Sequence, residues 1–192
     1  TFPTDASLKI VKGAFTAGGP VTFVPGTSLT MDCPNQPCGT FASSGAVTIE
    51  STPTTPTNVT INGGTLSGTG VLTLTQHTNT TVGGPFSVGI SRPVANAGTW
   101  TQTGYASLGA AFTNSGTLVF PDNTGYIAGG AGGALTNTGL ITKTGGTGTN
   151  NITAPTSGSG TFTIVPGGTL FVTGDVTAPA TGAVLINGGG TR

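Results

Sequence analysis

Few side chains in this sequence carry chemistry, and they stand far apart along the chain. Its acids are Asp5, Asp32, Glu50, Asp122 and Asp175. Glycosidases need two carboxylates at one cleft, and only Asp32 and Glu50 are placed to meet in this way. The one histidine, His77 in LTLTQHTNTT, has no Ser or Cys set beside it by a recognisable motif, so we expect a solvent-facing loop histidine rather than a general base.

The charge balance excludes several classes of partner. Formal net charge is +0 and only 5% of the 192 residues are charged, against about 25% in ordinary globular domains. No basic patch exists to bind nucleic acid or an anionic membrane surface. Apolar runs such as TLFV are far shorter than the roughly 20 residues that span a bilayer. Low charge leaves little repulsion between copies, which favours self-association.

Composition favours strands and turns. The chain has 35 glycines and 13 prolines, and it is rich in threonine. Glycine and threonine both weaken helix interiors. Disordered chains have few β-branched residues, whereas Val, Ile, Thr and Phe recur here at fixed places. We therefore expect an ordered all-β chain.

A short frame recurs along the chain, as in FTNSGTLVF and LTNTGLITK: an apolar residue, glycine four positions later, and apolar residues at +6 and +8. Positions +6 and +8 lie on one side of a strand. Glycine at +4 predicts a turn with positive φ. The residues that open the copies are Phe15, Phe41, Leu66, Trp100, Phe112, Leu135 and Ile164. The corresponding glycines are Gly19, Gly45, Gly70, Gly104, Gly116, Gly139 and Gly168.

Repetition of strand, glycine corner and strand roughly every 23 to 25 residues predicts a parallel β-helix of about eight coils. Residues 1–192 then form a single β-solenoid domain, because one coil cannot bury its own apolar face without neighbours. The opening residues of the frame are expected to stack as one interior ladder. The alternative is a β-sandwich, which also has many short strands and regular turns.

FTNSGTLVF, LTNTGLITK and GSGTFTIVPGGTLFVTG resemble the degenerate repeats of large secreted β-solenoid proteins, including filamentous haemagglutinin-like adhesins, autotransporter passenger domains and extracellular fibre proteins. The resemblance covers most of residues 13 to 190. It implies a right-handed β-helix, an extracellular or cell-surface location, and a role in adhesion or fibre building. It implies no catalytic residue.

Two kinds of covalent chemistry fit a secreted chain. Cys33 and Cys38 in CPNQPC are its whole supply of cysteine and predict a disulfide that stiffens a local loop; zinc needs about four ligands, and His77 is distant in sequence. Asn58, Asn79 and Asn151 each begin an N-glycosylation sequon, although about three sequons would arise by accident in this composition.

We therefore expect a non-enzymatic structural protein, a segment or subunit of a surface fibre, sheath or adhesin, with no cofactor and no metal. Its partners are then other copies or chains of the same fibre, with carbohydrate or a cell surface as further candidates. A polysaccharide-active β-helix enzyme (lyase, hydrolase or epimerase) is the first alternative, but the basic residues are scattered rather than gathered along a groove. Ice binding is the second, because TLTLTQHTNTT and GTWTQTG contain regularly spaced threonines. Lys143 occupies a +8 position and is expected to extend its amine to solvent at a strand end.

Overall fold

The computed structural model describes residues 1–174, 176, 180–181 and 183–187. In this part of the chain every strand pairing is parallel, and the strands form three sheets. Each coil contributes one strand to sheet 1, the next to sheet 2 and the third to sheet 3. The result is a parallel β-solenoid, as predicted, of about eight coils. The parallel pairing excludes the sandwich alternative, whose sheets are antiparallel.

The strands are short and follow one another at near-regular intervals. The first four coils contain β1 (Ser7–Ile10), β2 (Ala14–Ala17), β3 (Val21–Phe23); β4 (Ser28–Met31), β5 (Thr40–Ser43), β6 (Val47–Ile49); β7 (Asn58–Ile61), β8 (Gly64–Ser67), β9 (Leu72–Leu74); β10 (Asn79–Val82), β11 (Val88–Ile90) and β12 (Val94–Asn96). The next three contain β13 (Thr99–Gln102), β14 (Tyr105–Leu108), β15 (Ala111–Asn114); β16 (Thr117–Phe120), β17 (Tyr126–Gly129), β18 (Ala134–Asn137); β19 (Leu140–Lys143), β20 (Thr149–Ile152) and β21 (Thr156–Ser157). The last strands are β22 (Thr161–Ile164), β23 (Thr169–Thr173), β24 (Ala180–Thr181) and β25 (Ala183–Asn187).

Alternation within each strand separates the core from the surface. In β6 and β9 the first and third residues are buried while the central threonine is half-exposed. Stacked coils keep this pattern in register, as when Val47 pairs with Leu72 and Ile49 pairs with Leu74. Because side chains alternate sides along a strand, the buried residues of all three sheets meet in one continuous apolar core. No coil could bury these residues alone.

The predicted single ladder is wrong, because the frame marks three different corners. Phe15, Phe41 and Leu66 stack in sheet 2. Phe112 stacks on Leu135 in sheet 3. Trp100 and Ile164 belong to sheet 1 but occupy different positions in it: Trp100 pairs with Leu118, whereas Ile164 pairs with Lys143. All seven contact the core, although Phe15 is only partly buried. A strand–glycine–strand unit occurs wherever the coil turns, so its copies do not share one sheet.

The prediction that the corner glycines have a positive φ is also wrong, because none of these seven described residues has one. In five of them the space between coils requires glycine, because a Cβ would meet the backbone of the preceding coil; at Gly168 it would meet the side chain of Lys143 instead. A Cβ on Gly45 would lie 2.5 Å from the carbonyl carbon of Gly19, and one on Gly70 would lie 2.1 Å from the carbonyl oxygen of Gly45. Real Cβ atoms do not approach backbone so closely, so the glycines let successive corners stack. Gly19 is the exception, since a Cβ there would meet nothing within 4 Å.

The seven glycines divide among the three corners of the coil. Gly19, Gly45 and Gly70 lie at the corner between sheets 2 and 3, the 2–3 corner. Gly116 and Gly139 lie at the 3–1 corner, where the chain passes to the next coil, and Gly104 and Gly168 lie at the 1–2 corner. These three corners position all the sites described below.

Candidate functional site: an outward threonine face and buried polar corners

The outward side of sheet 1 carries two columns of small polar residues, which we call the threonine face. One column runs through Ser28, Asn58, Asn79, Thr99 and Thr117. The other runs through Thr30, Thr60, Thr81 and Thr101, is interrupted by Val119, and continues with Thr142, which is buried, and with the exposed Thr163. The pairing is in register at every step. The face is therefore a lattice of hydroxyl, amide and methyl groups.

The regular spacing of the threonine face follows from the buried residues of the same strands. Each outward residue alternates with a buried one, as Thr60 stands between Val59 and Ile61. Successive coils lie about 4.8 Å apart, and residues two apart on one strand lie about 6.7 Å apart. Threonine suits this surface because its branched side chain packs well on a pleated sheet. Such a lattice can contact a regular, uncharged surface at many points at once.

A second outward column lies on sheet 3, where Thr22, Thr48 and Thr73 are followed by Ala95 and then by Thr113 and Thr136. Its strands β3, β6 and β9 have only three residues each, so a single outward residue stands between two buried ones. In these three coils sheet 3 therefore presents one outward column rather than two. The sheet 3 column supplies a matched control surface.

Inside the solenoid, three asparagines form a ladder beside the 3–1 corner. Asn96, Asn114 and Asn137 are buried and stacked in register. The amide nitrogen of Asn96 donates to Oδ1 of Asn114 at 2.8 Å, and that of Asn114 donates to Oδ1 of Asn137 at 2.7 Å. Each amide also donates to the carbonyl of the glycine two residues later, at 3.3 Å. The ladder therefore links coils and satisfies corner carbonyls, as buried polar groups require.

Other copies of the frame use their +2 residue in the same way. Gln102 is buried, accepts a hydrogen bond from the indole N–H of Trp100 at 2.9 Å, and donates to the carbonyl of Gly104 at 2.8 Å. Ser43 donates to the carbonyls of Gly19 and Gly45. This role was not among the predictions from the sequence. The sequence pattern that indicates this hydrogen-bonding role is a polar residue at +2, as in FASSG, WTQTG, FTNSG and LTNTG.

Arg92 is fully buried at the 2–3 corner. It precedes Val94 by two residues, as Gly70 precedes Leu72, and Val94 pairs with Leu72, so Arg92 takes the place of a corner glycine. Its guanidinium donates to the carbonyls of Gly70 at 2.6 Å, Gly45 at 3.3 Å and Ser67 at 3.2 Å. Burial lowers the pKa of this group. Arg92 therefore serves as an internal donor to stacked corners.

Lys143 is also buried, so the expectation that its amine reaches solvent is wrong. It sits in an inward column between Phe120 and Ile164. Its Nζ donates to the backbone carbonyl of Asp122 at 2.9 Å, Oδ1 of Asn123 at 2.9 Å and Oδ1 of Asn150 at 2.6 Å. Burial lowers the pKa of the amine, and the charge of Asp122 partly opposes this shift. Gly168 leaves room for the stem, since a Cβ there would lie 2.7 Å from Cε of Lys143.

A surface groove of about 620 Å³ lies along the 3–1 corner. Its floor includes the tight turns 97–98 and 115–116, and its wall includes Pro53, Pro56 and His77 from the longer loops of the preceding coils. His77 is exposed, as expected, and has a φ of 69°. None of the described residues that line the groove carries a carboxylate, so they offer hydrogen bonds and shape rather than acid–base pairs.

The predicted disulfide joins Cys33 to Cys38 in the loop between β4 and β5, at the 1–2 corner. Its loop overhangs sheet 2, where Gln36, Pro37 and Gly89 line a smaller cleft of about 310 Å³. The bond stiffens an excursion from the coil rather than joining coils.

The candidate acid pair is split between corners. Asp32 follows β4 at the 1–2 corner, whereas Glu50 follows β6 at the 3–1 corner. Asp32 instead forms an ion pair with Lys9, 3.0 Å from Nζ to Oδ2. The hydrogen bond from Lys9 lowers the pKa of the Asp32 carboxyl, and burial opposes this shift. The structure thus places these acids at different corners, not across one cleft.

The three sequon asparagines lie in strands. Asn58 and Asn79 are exposed neighbours in the first column of the threonine face, and Asn79 donates to Oδ1 of Asn58 at 3.5 Å. Asn151 is half-buried and pairs with Tyr126 in sheet 2. Glycans on Asn58 or Asn79 would cover part of the threonine face.

Comparisons of this chain with protein-family models, curated proteins and solved structures found no match. Among the residues that the structure describes, no helix is long and apolar enough to cross a membrane. Function is therefore inferred from the solenoid, its outward lattice and its buried polar corners.

Proposed function

We propose that this chain is a non-enzymatic, extracellular structural protein, a rigid segment of a surface fibre, sheath or adhesin. The observation that supports this role is the continuity of three in-register sheets, with buried side chains that hydrogen-bond from coil to coil. A rod of this kind keeps its length under load, because many parallel hydrogen bonds resist separation of adjacent coils. The disulfide supports a non-reducing location, as found outside cells.

Assembly through strand edges is the proposed mechanism. The three sheets begin with β1, β2 and β3. In the described part of the chain β1 and β2 have a neighbouring strand on only one side, whereas Phe2 already bridges the outer edge of β3. Unpaired edges of this kind bind the strands of another chain. Low charge leaves little repulsion to oppose such contacts.

Edge pairing can be tested at Thr16 in β2. The carbonyls of Gly13 and Ala17 accept hydrogen bonds from Thr40 and Ser44 of the next coil. Because backbone groups alternate direction along a strand, the N–H of Thr16 points to the free edge. Thr16→Pro removes this donor, whereas Thr16→Ala keeps it. We expect sedimentation velocity to show assembly that grows with concentration, is unchanged in T16A and is weakened in T16P.

A native chain that stays monomeric across the soluble concentration range would overturn the assembly mechanism. Equal assembly by T16P and T16A would place the contact elsewhere. Incubation with acidic and neutral polysaccharides tests the enzyme alternative, since new reducing ends or unsaturated products that disappear with Asp32→Asn would contradict the non-enzymatic role.

Ice binding is a second candidate, favoured by the two-column spacing of the threonine face. The second column is in register and uncharged from Thr30 to Thr101, which suits contact with a crystalline array of water. We expect thermal hysteresis in solutions of the native chain if this candidate is correct, and its loss in Thr81→Lys or Thr101→Lys. Thr48→Lys on sheet 3 is the matched control and should retain it. Native protein without thermal hysteresis removes this candidate.

A further inference from the structure

Two tyrosines of neighbouring coils are stacked on the outward side of sheet 2. Tyr105 is the first residue of β14, Tyr126 is the first residue of β17, and the two pair in register. Their ring centroids lie 5.2 Å apart, with the ring planes 11° from parallel. Tyr105 is 44% exposed, and among the described residues Val71 is the one other large apolar side chain exposed to this degree. A single exposed apolar residue needs no explanation, but two aligned rings form an ordered aromatic platform.

Contacts within the platform hold it in place and leave one aromatic face open. The hydroxyls of Tyr126 and Thr153 are hydrogen-bonded at 3.0 Å, and the ring of Tyr126 covers one face of the Tyr105 ring. Because β14 lies between β11 and β17, the opposite face of Tyr105 is turned toward the coil of β11. The register places only small residues there, Ser87 next to Tyr105 and Gly89 as the outward residue of β11. A ligand could therefore contact this face without moving a large side chain.

A cleft of about 310 Å³ lies on the same side of sheet 2, beside the open face. The residues that line it include Gln36, Pro37, Gly64, Thr65, Ser87 and Gly89. The loop closed by the Cys33–Cys38 disulfide overhangs one end of the cleft, and Tyr105 stands one coil beyond Ser87 at the other. Gly89 keeps the floor low, since even a Cβ there would lie 3.3 Å from Oγ1 of Thr65. The cleft therefore leads to the open face of the ring.

The chemistry of this surface favours one class of ligand. Gln36 carries an amide, Thr65 and Ser87 carry hydroxyls, and none of the described residues that line the cleft is charged. An ionised ligand would lose hydration there without gaining an opposite charge. A wholly apolar ligand would leave the amide and the hydroxyls without partners. A sugar ring suits both parts of the surface, because it presents hydroxyls at its edge and a C–H face that packs on an aromatic ring.

We propose that the cleft and Tyr105 together bind a neutral saccharide. One sugar ring packs on the open face of Tyr105, and the hydroxyls of the chain form hydrogen bonds with Gln36, Thr65 and Ser87. The disulfide limits the freedom of the loop that carries Gln36, and the stack limits that of Tyr105, so binding orders few groups. This inference deepens the proposed adhesin role, on which it rests, by naming the class of ligand and its site. No bond of the saccharide is broken.

Affinity electrophoresis tests the proposal with the folded native chain. Native gels are cast with dextran, laminarin, arabinoxylan or galactomannan as neutral probes and with alginate as the anionic probe. We expect at least one neutral polysaccharide to retard the chain and alginate to leave its mobility unchanged. The concentration dependence of the retardation gives an apparent Kd.

Four variants locate the binding. Tyr105→Ala should raise the apparent Kd about tenfold or more, because it removes the aromatic anchor. Tyr105→Phe keeps the ring face and should raise it far less, while Thr65→Val keeps the shape of the side chain and should weaken binding through the lost hydroxyl. Val71→Ala is the matched control, since it removes an equally exposed apolar side chain at the 2–3 corner, and it should bind as the native chain does.

The possible results separate this site from the structural role. A native chain that none of the neutral polysaccharides retards overturns the site, as does retardation that is equal in Y105A and native chain. Equal retardation by alginate would contradict a site for neutral sugars. Each of these results leaves the structural role intact, because assembly is measured separately by sedimentation. Conversely, a monomeric chain with binding that depends on Tyr105 would overturn the assembly mechanism and support the saccharide site.

Discussion

The 2–3 corner of the early coils and the 3–1 corner of the later coils stack glycine on glycine in the same way, but they satisfy their carbonyls differently. At the 3–1 corner, Asn96, Asn114 and Asn137 each donate to the glycine carbonyl two residues later, and the first two also donate to the next asparagine of the ladder. At the 2–3 corner, the carbonyls of Gly45 and Gly70 receive a donor from Arg92 of a later coil.

The residue at +2 explains the difference. In the copies that open at Phe15 and Leu66, this position holds Ala17 and Gly68, neither of which has a side-chain donor. Ser43 donates to the carbonyl of Gly45 in its own coil and to that of Gly19 in the preceding coil, but among the described residues it bonds to no side chain of another coil. An asparagine in each coil hydrogen-bonds the glycine carbonyl beside it, and this arrangement can continue over any number of coils. A single arginine hydrogen-bonds the corner carbonyls at one place in the stack only.

The largest expected effect comes from filling the glycine column itself. A Cβ on Gly116 would lie 2.2 Å from the carbonyl oxygen of Gly98, which is backbone and cannot move alone. We expect Gly116→Ala to lower the free energy of unfolding by about 4 kcal/mol or more, in the range of severe core disruption. Urea denaturation of the purified variant measures this loss.

Gly19→Ala is the matched control, because it changes the same frame position where a Cβ meets nothing within 4 Å. Its φ is not positive, so the change should be neutral or slightly stabilising. Equal losses in G116A and G19A would show that coil contact is not what requires glycine.

Removal of the single arginine should have the next largest effect. Arg92→Met keeps an apolar stem but withdraws the donors from the carbonyls of Gly45, Ser67 and Gly70. Each buried polar group left unsatisfied costs about 1 to 3 kcal/mol, and loss of the unpaired charge offsets part of this. We expect a net loss of about 3 kcal/mol by thermal or urea unfolding. A neutral R92M would mean that the 2–3 corner needs no donor.

The sequence predicted the features of the corners that depend on residues only a few positions apart. The glycine frame and the alternation of apolar residues predicted parallel coils, because both depend on neighbours within a few positions. The polar residue at +2, as Asn114 in FTNSG, was visible in the same window and predicts a cap once the corner is known to be buried.

Contacts between residues on different coils could not be predicted from the sequence. Arg92 lies 47 positions from Gly45, and only the stacking of two coils brings them together. Burial of Lys143 likewise depends on loop 121–125 of the preceding coil, which folds over its amine. The frame could not reveal which corner each copy occupies, because every corner uses the same strand–glycine–strand pattern. That is why Trp100 and Phe112 were assigned to one ladder.

Disruption in the middle of the asparagine ladder should have a smaller effect than loss of Arg92. Asn114→Leu has nearly the same volume but breaks the bonds to Asn96 and Asn137 and uncaps the carbonyl of Gly116. We expect a loss of about 2 kcal/mol in the free energy of unfolding, since the groups left behind are buried and neutral. The loss should not vary between pH 5 and pH 9, because amides do not titrate.

A substitution of Asn96, at the end of the asparagine ladder, should have the smallest effect on stability. It also tests whether the hydrogen bonds of the ladder contribute independently. Asn96 donates to Asn114 and to Gly98, but its own Oδ1 is buried without a partner. Asn96→Leu removes this unsatisfied oxygen together with the two bonds, so we expect a loss below about 1 kcal/mol. In a double-mutant cycle with N114L, the coupling energy should account for the shared bond. If N96L is as damaging as N114L, the ladder acts as one unit, and its advantage over a single arginine does not come from independent steps.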